Sequence, residues 1–187
     1  MPYHLIFEGA ELSGKSWAMS QVYNELEPKY ATSQNILDGC YWLNCDLGFF
    51  GTELASTLIQ NYLAIFQTLS QKNIIVEKFL LSALVYSELY GQGRVDREEI
   101  ESRLRDMGFK IVLLTFPEDK ELVRCRLEDR LRLYPNYGRI AKEPEFYLKQ
   151  QQLYKKYLLE SKLDYLIIEV DKFPDQKIVA TIKAWLG

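Results

Sequence analysis

The stretch Gly9-Ala10-Glu11-Leu12-Ser13-Gly14-Lys15-Ser16 decides how the rest of this sequence is interpreted. It fits a pattern of a glycine, four residues, a second glycine, a lysine and a hydroxyl residue. The pattern follows a short apolar run, Tyr3 to Glu8, and opens a segment with helical periodicity, Lys15 to Leu26. A strand that turns through a glycine-bearing loop into a helix is the context in which such loops bind phosphate groups.

The residue types of this loop suit a nucleoside triphosphate. Glycines at both ends let the backbone turn sharply and approach an anion closely, and the N–H groups of the loop and helix terminus carry positive partial charge. We expect Lys15 to reach the β- and γ-phosphates of ATP or a related triphosphate and the Ser16 hydroxyl to bind Mg²⁺. The loop residues predicted to hold the nucleotide are Gly9, Glu11, Ser13, Gly14, Lys15 and Ser16. The alternative, a turn with a coincidental lysine, requires pattern and context to agree by chance.

Apolar strands alternate with helices along the chain, which predicts one α/β domain over residues 1–187. The predicted architecture is a parallel sheet with helices on both faces, a three-layer sandwich. The further strands are Asn73 to Val76, Lys110 to Phe116 and Tyr165 to Val170. The helices are Thr52 to Gln71, Phe79 to Tyr90, Asp96 to Met107, Glu118 to Leu133, Glu145 to Ser161 and Pro174 to Leu186. Residues 28–51 suggest a short strand at Ile36-Leu37 and otherwise loop.

The segment Phe7 to Ser16 resembles the opening of the P-loop thymidylate kinases, where Phe-Glu-Gly leads into the phosphate loop. That family carries an acidic residue at the position of Glu11, which lies near the sugar of the bound nucleotide. One departure is visible, because Leu12 stands where the family has a second internal glycine. The resemblance implies a P-loop kinase of nucleosides or nucleotides and extends over most of the chain.

A second resemblance begins at Glu77-Lys78, directly after the strand Asn73 to Val76. Thymidylate kinases have Asp-Arg-Tyr here, and the related deoxynucleoside kinases have Glu-Arg-Ser. A carboxylate at the end of a strand beside the phosphate loop can orient Mg²⁺ or accept a proton, so Ser16 and Glu77 form the predicted metal site. Lys78 can hold an anionic phosphate as a point charge. The alternative is a solvated Glu-Lys pair.

Five arginines follow, and they resemble the lid that closes over phosphates in these kinases. They are Arg124, Arg126, Arg130, Arg132 and Arg139. We place the lid around residues 124–142 and expect Arg130 and Arg132 to act in catalysis with Lys15 and Glu77, with Arg126 a weaker candidate. Acidic residues alternate with these arginines, so exposed ion pairs are the competing interpretation.

Aromatic residues are expected to line the acceptor pocket, which we place between residues 38–66 and 77–90. The predicted substrate-binding set is Glu11, Lys78, Trp42, Tyr62 and Phe66, with Phe49 and Phe50 as further aromatic candidates. Rings of this kind stack on a base, although packing in the core accounts for at least half of them more simply.

The preferred function is ATP- and Mg²⁺-dependent phosphoryl transfer to a (deoxy)nucleoside monophosphate, as in thymidylate kinases. Two alternatives remain open: a deoxynucleoside kinase, or a nucleotide-binding protein without kinase activity. Glu77 and the lack of the family's phosphate-gripping arginine in the helix 57–71 suit the deoxynucleoside kinase. The Arg-Glu-Pro segment of thymidylate kinases has no match within residues 28–51, so dTMP itself is not assigned as the acceptor.

Bulk properties narrow the partners. A formal net charge of −3 gives no general attraction to nucleic acid or anionic lipid, and the apolar runs are too short to span a membrane. Cys40, Cys45 and Cys125 are odd in number and lack metal-binding spacing, which is typical of a reducing cytoplasm. His4 lies alone in a predicted strand and is expected to be structural. The expected partner is a nucleoside or nucleotide substrate, and a homodimer is compatible with the resemblance.

Overall fold

The computed structural model describes residues 2–27, 39–45, 48–91, 93, 95–172 and 175–187. Five strands form a parallel sheet in the order β2-β3-β1-β4-β5. They are β1 (His4–Glu8), β2 (Cys40–Asn44), β3 (Asn73–Glu77), β4 (Phe109–Thr115) and β5 (Tyr165–Glu169). Since each strand is followed along the chain by a helix, consecutive strands run in the same direction.

Seven α-helices and one short 3₁₀ helix are present among the described residues. The α-helices are α1 (Lys15–Leu26), α2 (Ala55–Thr68), α3 (Leu80–Tyr90), α4 (Arg97–Asp106), α5 (Lys120–Leu133), α6 (Pro144–Leu159) and α7 (Lys177–Leu186). The 3₁₀ helix covers Pro135–Arg139, between α5 and α6. None of the described helices combines the length and apolar character needed to cross a lipid bilayer.

Helices cover both faces of the sheet, which confirms the predicted three-layer α/β sandwich. Alternate strand residues enter two separate cores, as the period of two in a strand requires. Ile6, Val76 and Leu113 point into the core that contains residues of α2, α3, α4 and α6. Phe7 and Val112 point into the opposite core, beneath α1 and α7.

The central strand β1 lies between β3 and β4, so the loop after β1 opens beside the ends of both neighbours. Phe7 pairs in register with Glu77 on one side and with Val112 on the other. The backbone N–H of Lys78 donates to the Phe7 carbonyl at 3.0 Å, which extends this pairing to the residue after β3. The predicted phosphate loop and the Glu77-Lys78 pair therefore emerge at the same edge of the sheet.

Strand β2 corrects the sequence analysis, which interpreted residues 40–44 as loop. Cys40 to Asn44 pair in parallel with Asn73 to Glu77 at the edge of the sheet. Only Cys40 of this strand is fully buried, and an edge strand with a half-exposed surface lacks the continuous apolar run that marked β3 and β4. The predicted strand at Ile36-Leu37 lies outside the described residues.

Two polar side chains, those of Asp96 and His4, make structural hydrogen bonds. Asp96 caps α4, because its side chain accepts a hydrogen bond from the backbone N–H of Glu99 at 3.0 Å. His4 is buried, and its two ring nitrogens lie 2.5 Å and 3.0 Å from the carbonyl oxygens of Met107 and Lys72. Such contacts suit the structural role expected of this histidine.

Candidate functional site

The loop between β1 and α1 depends on its two glycines. Gly9 has a φ of 141°, and a Cβ atom on it would lie 2.3 Å from the carbonyl oxygen of Leu114, which no side chain tolerates. Gly14 has a φ of 82° and immediately precedes the first turn of α1. Only glycine adopts both conformations without strain, so these two residues set the turn from β1 into the start of α1.

Lys15 is folded back over this loop. Its Nζ donates to the carbonyl oxygens of Gly9 at 2.8 Å and Ala10 at 2.9 Å, and the residue is only 6% exposed. Burial lowers the pKa of Lys15 to about 8, and repulsion from Lys78 adds to the shift. The carboxylates of Glu77 and Glu11 act in the opposite direction. The ammonium group is therefore held at the phosphate loop, and it loses its proton near pH 8.

This pKa predicts a pH-dependent affinity for triphosphate. A bound phosphate stabilises the charged amine, so affinity should be constant below about pH 8 and fall by up to about tenfold per pH unit above it. Lys15→Arg, which stays charged, should remove the decline. Since the pKa is lowered in the folded state, the free energy of unfolding of the ligand-free protein should rise between pH 8 and the ordinary lysine value of 10.5. Calorimetric titration with triphosphate below and above pH 8 measures the affinity. An affinity of the unmodified protein that stays constant above pH 8 would contradict the lowered pKa of Lys15.

Ser16 and Glu77 meet across the site. The Ser16 hydroxyl donates to Glu77 Oε1 at 2.7 Å, so a residue of α1 contacts the last residue of β3. A hydroxyl oxygen and a carboxylate oxygen are hard ligands that suit Mg²⁺. No group of three or more His, Cys, Asp or Glu side chains arranged to hold a metal occurs among the described residues. Mg²⁺ at this pair would take its other ligands from phosphate oxygens and water, as is usual for this ion.

Lys78 follows Glu77 in an unusual backbone conformation. Its φ is 58°, in the left-handed region that few non-glycine residues adopt. The side chain is 5% exposed, and its Nζ lies 5.6 Å from the centre of the Tyr86 ring. A strained residue held beside the phosphate loop is typical of a functional position, and it directs a second positive charge toward the space above Lys15.

Glu8, which the sequence analysis did not select, ties β1 to α3. Its buried carboxylate accepts hydrogen bonds from the backbone N–H groups of Phe79, Leu81 and Ser82 and from the Ser82 hydroxyl at 2.6 Å. These N–H groups begin α3 and have no acceptor within the helix. Burial raises the pKa of Glu8, against the effect of these hydrogen bonds. Glu8 thereby fixes α3, and with it the Glu77-Lys78 segment, relative to the phosphate loop.

Removal of the Glu8 carboxylate should destabilise the fold strongly. In Glu8→Ala, three backbone N–H groups at the start of α3 lose their acceptor in a site closed to water. We expect the free energy of unfolding to fall by about 3 kcal/mol or more, with a smaller loss in Glu8→Gln, which keeps one acceptor oxygen. Urea unfolding measures both variants. A loss below about 0.5 kcal/mol in Glu8→Ala would show that water replaces the carboxylate.

Glu11 joins the phosphate loop to the segment of the predicted lid. Its carboxylate accepts hydrogen bonds from Tyr86 at 3.2 Å and from Tyr137, and its backbone N–H donates to Gln150 Oε1 at 2.9 Å. Tyr137 belongs to the 3₁₀ helix after α5. Burial, followed by the bond to Glu11, raises the pKa of the Tyr137 hydroxyl well above its usual range. Sequence analysis missed Tyr86 and Tyr137, since their contacts span 75 and 126 residues.

The arginines of α5 divide between two sides of the helix. Arg130 lines the space above the phosphate loop, and its guanidinium carbon lies 4.5 Å from the centre of the Tyr134 ring. Arg132 does not line this space; its side chain is 78% exposed and pairs with Asp129 at 2.8 Å. Two residues correspond to about 200° of rotation on a helix, so Arg130 and Arg132 cannot share a face. The structure thus removes the basis for expecting Arg132 in catalysis, and Arg126 takes its place in the cavity wall.

Two cavities adjoin at this site. The larger, about 660 Å³, is formed by the phosphate loop, the Glu77-Lys78 segment and α5. The smaller, about 370 Å³, lies between α3, the residues before α2 and the segment after the 3₁₀ helix. Glu11 and Ile140 line both cavities, so one carboxylate stands between them. The smaller cavity is lined further by Gly48, Phe50, Tyr86, Tyr90, Arg139, Lys142, Phe146 and Tyr147.

Three predicted substrate-binding aromatics lie outside both cavities. Phe66 is fully buried, with its ring centre 5.0 Å from that of Phe79, and is a core residue. Tyr62 packs beside it and donates its hydroxyl to the Asn44 carbonyl. Trp42 lies on the edge strand β2, with its ring 6.2 Å from Tyr23 of α1. Of the aromatic residues predicted for the acceptor pocket, Phe50 is the one that lines the smaller cavity.

Solved structures share this arrangement of strands and helices. The YorR protein of Bacillus subtilis, in complex with phosphorylated GDP, superimposes with a TM-score of 0.67 at 18% identity, covering 97% of this chain and 94% of that one. This chain shares the three-layer α/β fold of that structure. A thymidylate kinase of Ehrlichia chaffeensis gives a TM-score of 0.54 at 12% identity, covering 99% and 98% of the two chains. A deoxyadenosine kinase of M. mycoides with the products dCMP and dCDP gives 0.50 at 13%, covering 98% and 97%.

These likenesses concern the fold alone, because identities this low do not carry over a substrate. Neither a protein-family model nor the sequence of a curated protein matches the chain. The function has to be argued from the site itself.

Proposed function

We propose that this protein transfers the γ-phosphoryl group of ATP–Mg²⁺ to a (deoxy)nucleoside monophosphate, in the manner of a thymidylate kinase. The observation that carries the proposal is the pair of adjoining cavities separated by Glu11. A phosphate loop lines one cavity and aromatic side chains line the other. Such an arrangement suits a donor nucleotide in one cavity and an acceptor in the other, with their reacting groups meeting beside the Glu11 carboxylate.

The larger cavity would hold the donor. The loop from Gly9 to Ser16, including Ser13 and Gly14, would surround the phosphates with backbone N–H groups, and Lys15 would exchange its bonds to two loop carbonyls for phosphate oxygens. Mg²⁺ would bind at Ser16 and Glu77. It would neutralise charge on the phosphates and bridge them to the protein.

The smaller cavity would hold the acceptor. Tyr86 and Tyr90 form a stacked aromatic wall, with ring centres 5.8 Å apart and planes inclined by 29°. Flat aromatic surfaces of this kind suit a nucleobase. Arg139 and Lys142 add two positive charges to the same cavity, which suits an acceptor that already carries a phosphate. Glu11 stands at the boundary, where a sugar hydroxyl would reach it.

Catalysis would rest on position and charge. Lys15, Lys78 and Arg130 converge on the donor cavity and would neutralise charge on the transferring group. Glu77 would orient Mg²⁺ or accept a proton from the attacking oxygen. The segment 124–142 would act as a lid, because Tyr137 reaches across the site to Glu11 and Ile140 lines both cavities.

A deoxynucleoside kinase is the second candidate, favoured by one observation. Helix α2 carries no arginine that could grip an acceptor phosphate, whereas thymidylate kinases use one in this helix. An acceptor without a phosphate would not need that grip. The two candidates differ in which form of the acceptor binds.

Calorimetric titration of matched nucleosides and 5′-monophosphates, with a non-hydrolysable ATP analogue and Mg²⁺ present, separates them. If the acceptor is a monophosphate, it should bind at least about tenfold more tightly than its nucleoside. The double variant Arg139→Ala, Lys142→Ala should remove that advantage. Tighter binding of the nucleoside would select the deoxynucleoside kinase instead.

A further inference from the structure

The phosphate loop contains a second strained residue, Leu12. Its φ is 67°, and Leu12 and Lys78 are the non-glycine residues with positive φ in the described part of the chain. A side chain with a Cβ atom meets the following carbonyl in this left-handed conformation, so leucine adopts it only when its surroundings hold it there. A contact with another part of the protein must therefore restrain the backbone at Leu12.

Arg126 supplies that restraint. Its Nη1 donates to the carbonyl oxygen of Leu12 at 3.1 Å, and its Nη2 donates to the carbonyls of Val170 at 2.5 Å and Asp171 at 2.9 Å. The guanidinium carbon also lies 5.5 Å from the centre of the Phe116 ring. One side chain of α5 thus ties the phosphate loop to the end of β5.

The chemistry of this contact requires arginine. The guanidinium group is planar and carries several N–H donors in a rigid fork, so it can bond carbonyls on two separate segments at once. A lysine ammonium on a flexible stem would not hold the same geometry. Arg126 lines the donor cavity, but its guanidinium group is bonded to one carbonyl of the loop and to two carbonyls after β5.

We propose that Arg126 is a positioning residue that holds the Leu12 peptide in its left-handed conformation and so keeps the phosphate loop in the shape that binds triphosphate. The inference rests on the proposed binding of triphosphate at this loop. It assigns Arg126 an action through Leu12 rather than on the phosphates, and it explains how the loop tolerates leucine at this position.

A double-mutant cycle tests the inference. Arg126→Ala should weaken ATP–Mg²⁺ binding by about tenfold in the unmodified protein, but by less than about threefold when combined with Leu12→Gly, because glycine adopts positive φ without help. Leu12→Ala is the matched control. It removes the leucine side chain but keeps the strained Cβ, so Arg126→Ala should still cost about tenfold beside it.

A direct contact between Arg126 and the phosphates would give a different result. If Arg126 contacts the phosphates directly, Arg126→Ala will cause the same loss beside Leu12→Gly as in the unmodified protein, and the inference is overturned. Arg130→Ala serves as the comparison, since its loss should be independent of residue 12. If Arg126→Ala does not fold, Arg126→Lys takes its place in the cycle.

The same double-mutant cycle can be measured as the free energy of unfolding instead of as ATP–Mg²⁺ affinity. This measurement tests the positioning role separately from the proposed function. Coupling between Leu12→Gly and Arg126→Ala should appear there without any nucleotide. If the unmodified protein binds no triphosphate but the unfolding cycle shows coupling, the proposed function fails and the positioning role stands. Absence of coupling in unfolding and in binding overturns the positioning role.

Discussion

Replacing Lys15 with alanine should weaken ATP–Mg²⁺ binding by about a hundredfold or more. The ammonium group is buried at the loop, where its bonds to the carbonyls of Gly9 and Ala10 hold it ready for phosphate. A charge-assisted hydrogen bond in such a closed site is worth roughly 1.5–3 kcal/mol, and Lys15 would make more than one with a triphosphate. Calorimetric titration measures the loss.

The control for Lys15→Ala is Lys177→Ala. Lys177 is an exposed lysine at the start of α7 and has no place in the proposed site, so its removal should leave the affinity unchanged. Circular dichroism of both variants checks that they are folded. Unchanged affinity in folded Lys15→Ala would mean that the loop does not bind triphosphate.

Replacing Glu77 with glutamine should reduce kcat by about a thousandfold while the protein stays folded. The Ser16 hydroxyl donates a hydrogen bond to Glu77 Oε1 at 2.7 Å, and glutamine keeps an oxygen that can accept this bond. Glutamine lacks the negative charge that would hold Mg²⁺ or take a proton. The Michaelis constant for the acceptor should change little, because Glu77 lines only the donor cavity. Steady-state phosphoryl transfer assays give both constants.

Glu145→Gln is the matched control for Glu77. Glu145 forms an exposed ion pair with Lys120 at 2.8 Å, and such pairs contribute little to stability. Its replacement should leave kcat unchanged. A kcat for Glu77→Gln within about threefold of the unmodified value would exclude Glu77 from metal binding and proton transfer.

The phosphate loop could be predicted from sequence because its determinants are local. Gly9, Gly14 and the following helix specify one turn, and no distant contact is needed to recognise it. That Ser16 and Glu77 lie close together could be predicted as well, because parallel strands bring their carboxyl ends to one edge of the sheet. Their roles with Mg²⁺ stay predictions.

Other parts of the site depend on tertiary contacts that no local pattern encodes. Tyr137 reaches Glu11 from 126 residues away, and the choice between Arg126 and Arg132 depends on which face of α5 turns inward. For Phe66, the sequence itself indicated burial in the core. With Ile59 and Leu63 it repeats at helical spacing, and all three are fully buried, so the pattern indicated the core rather than a pocket. Residues 40–44 form an edge strand, where half-exposed side chains blur the strand pattern.

Transfer of labelled γ-phosphoryl from ATP to a panel of nucleosides and nucleoside monophosphates tests the central claim most directly. With Mg²⁺ present, at least one (deoxy)nucleoside monophosphate should become a labelled diphosphate, and Lys15→Ala and Glu77→Gln should abolish the product. A labelled monophosphate formed from a nucleoside would assign the deoxynucleoside kinase instead. No labelled product from any acceptor, with folded protein that binds ATP, would contradict the kinase account.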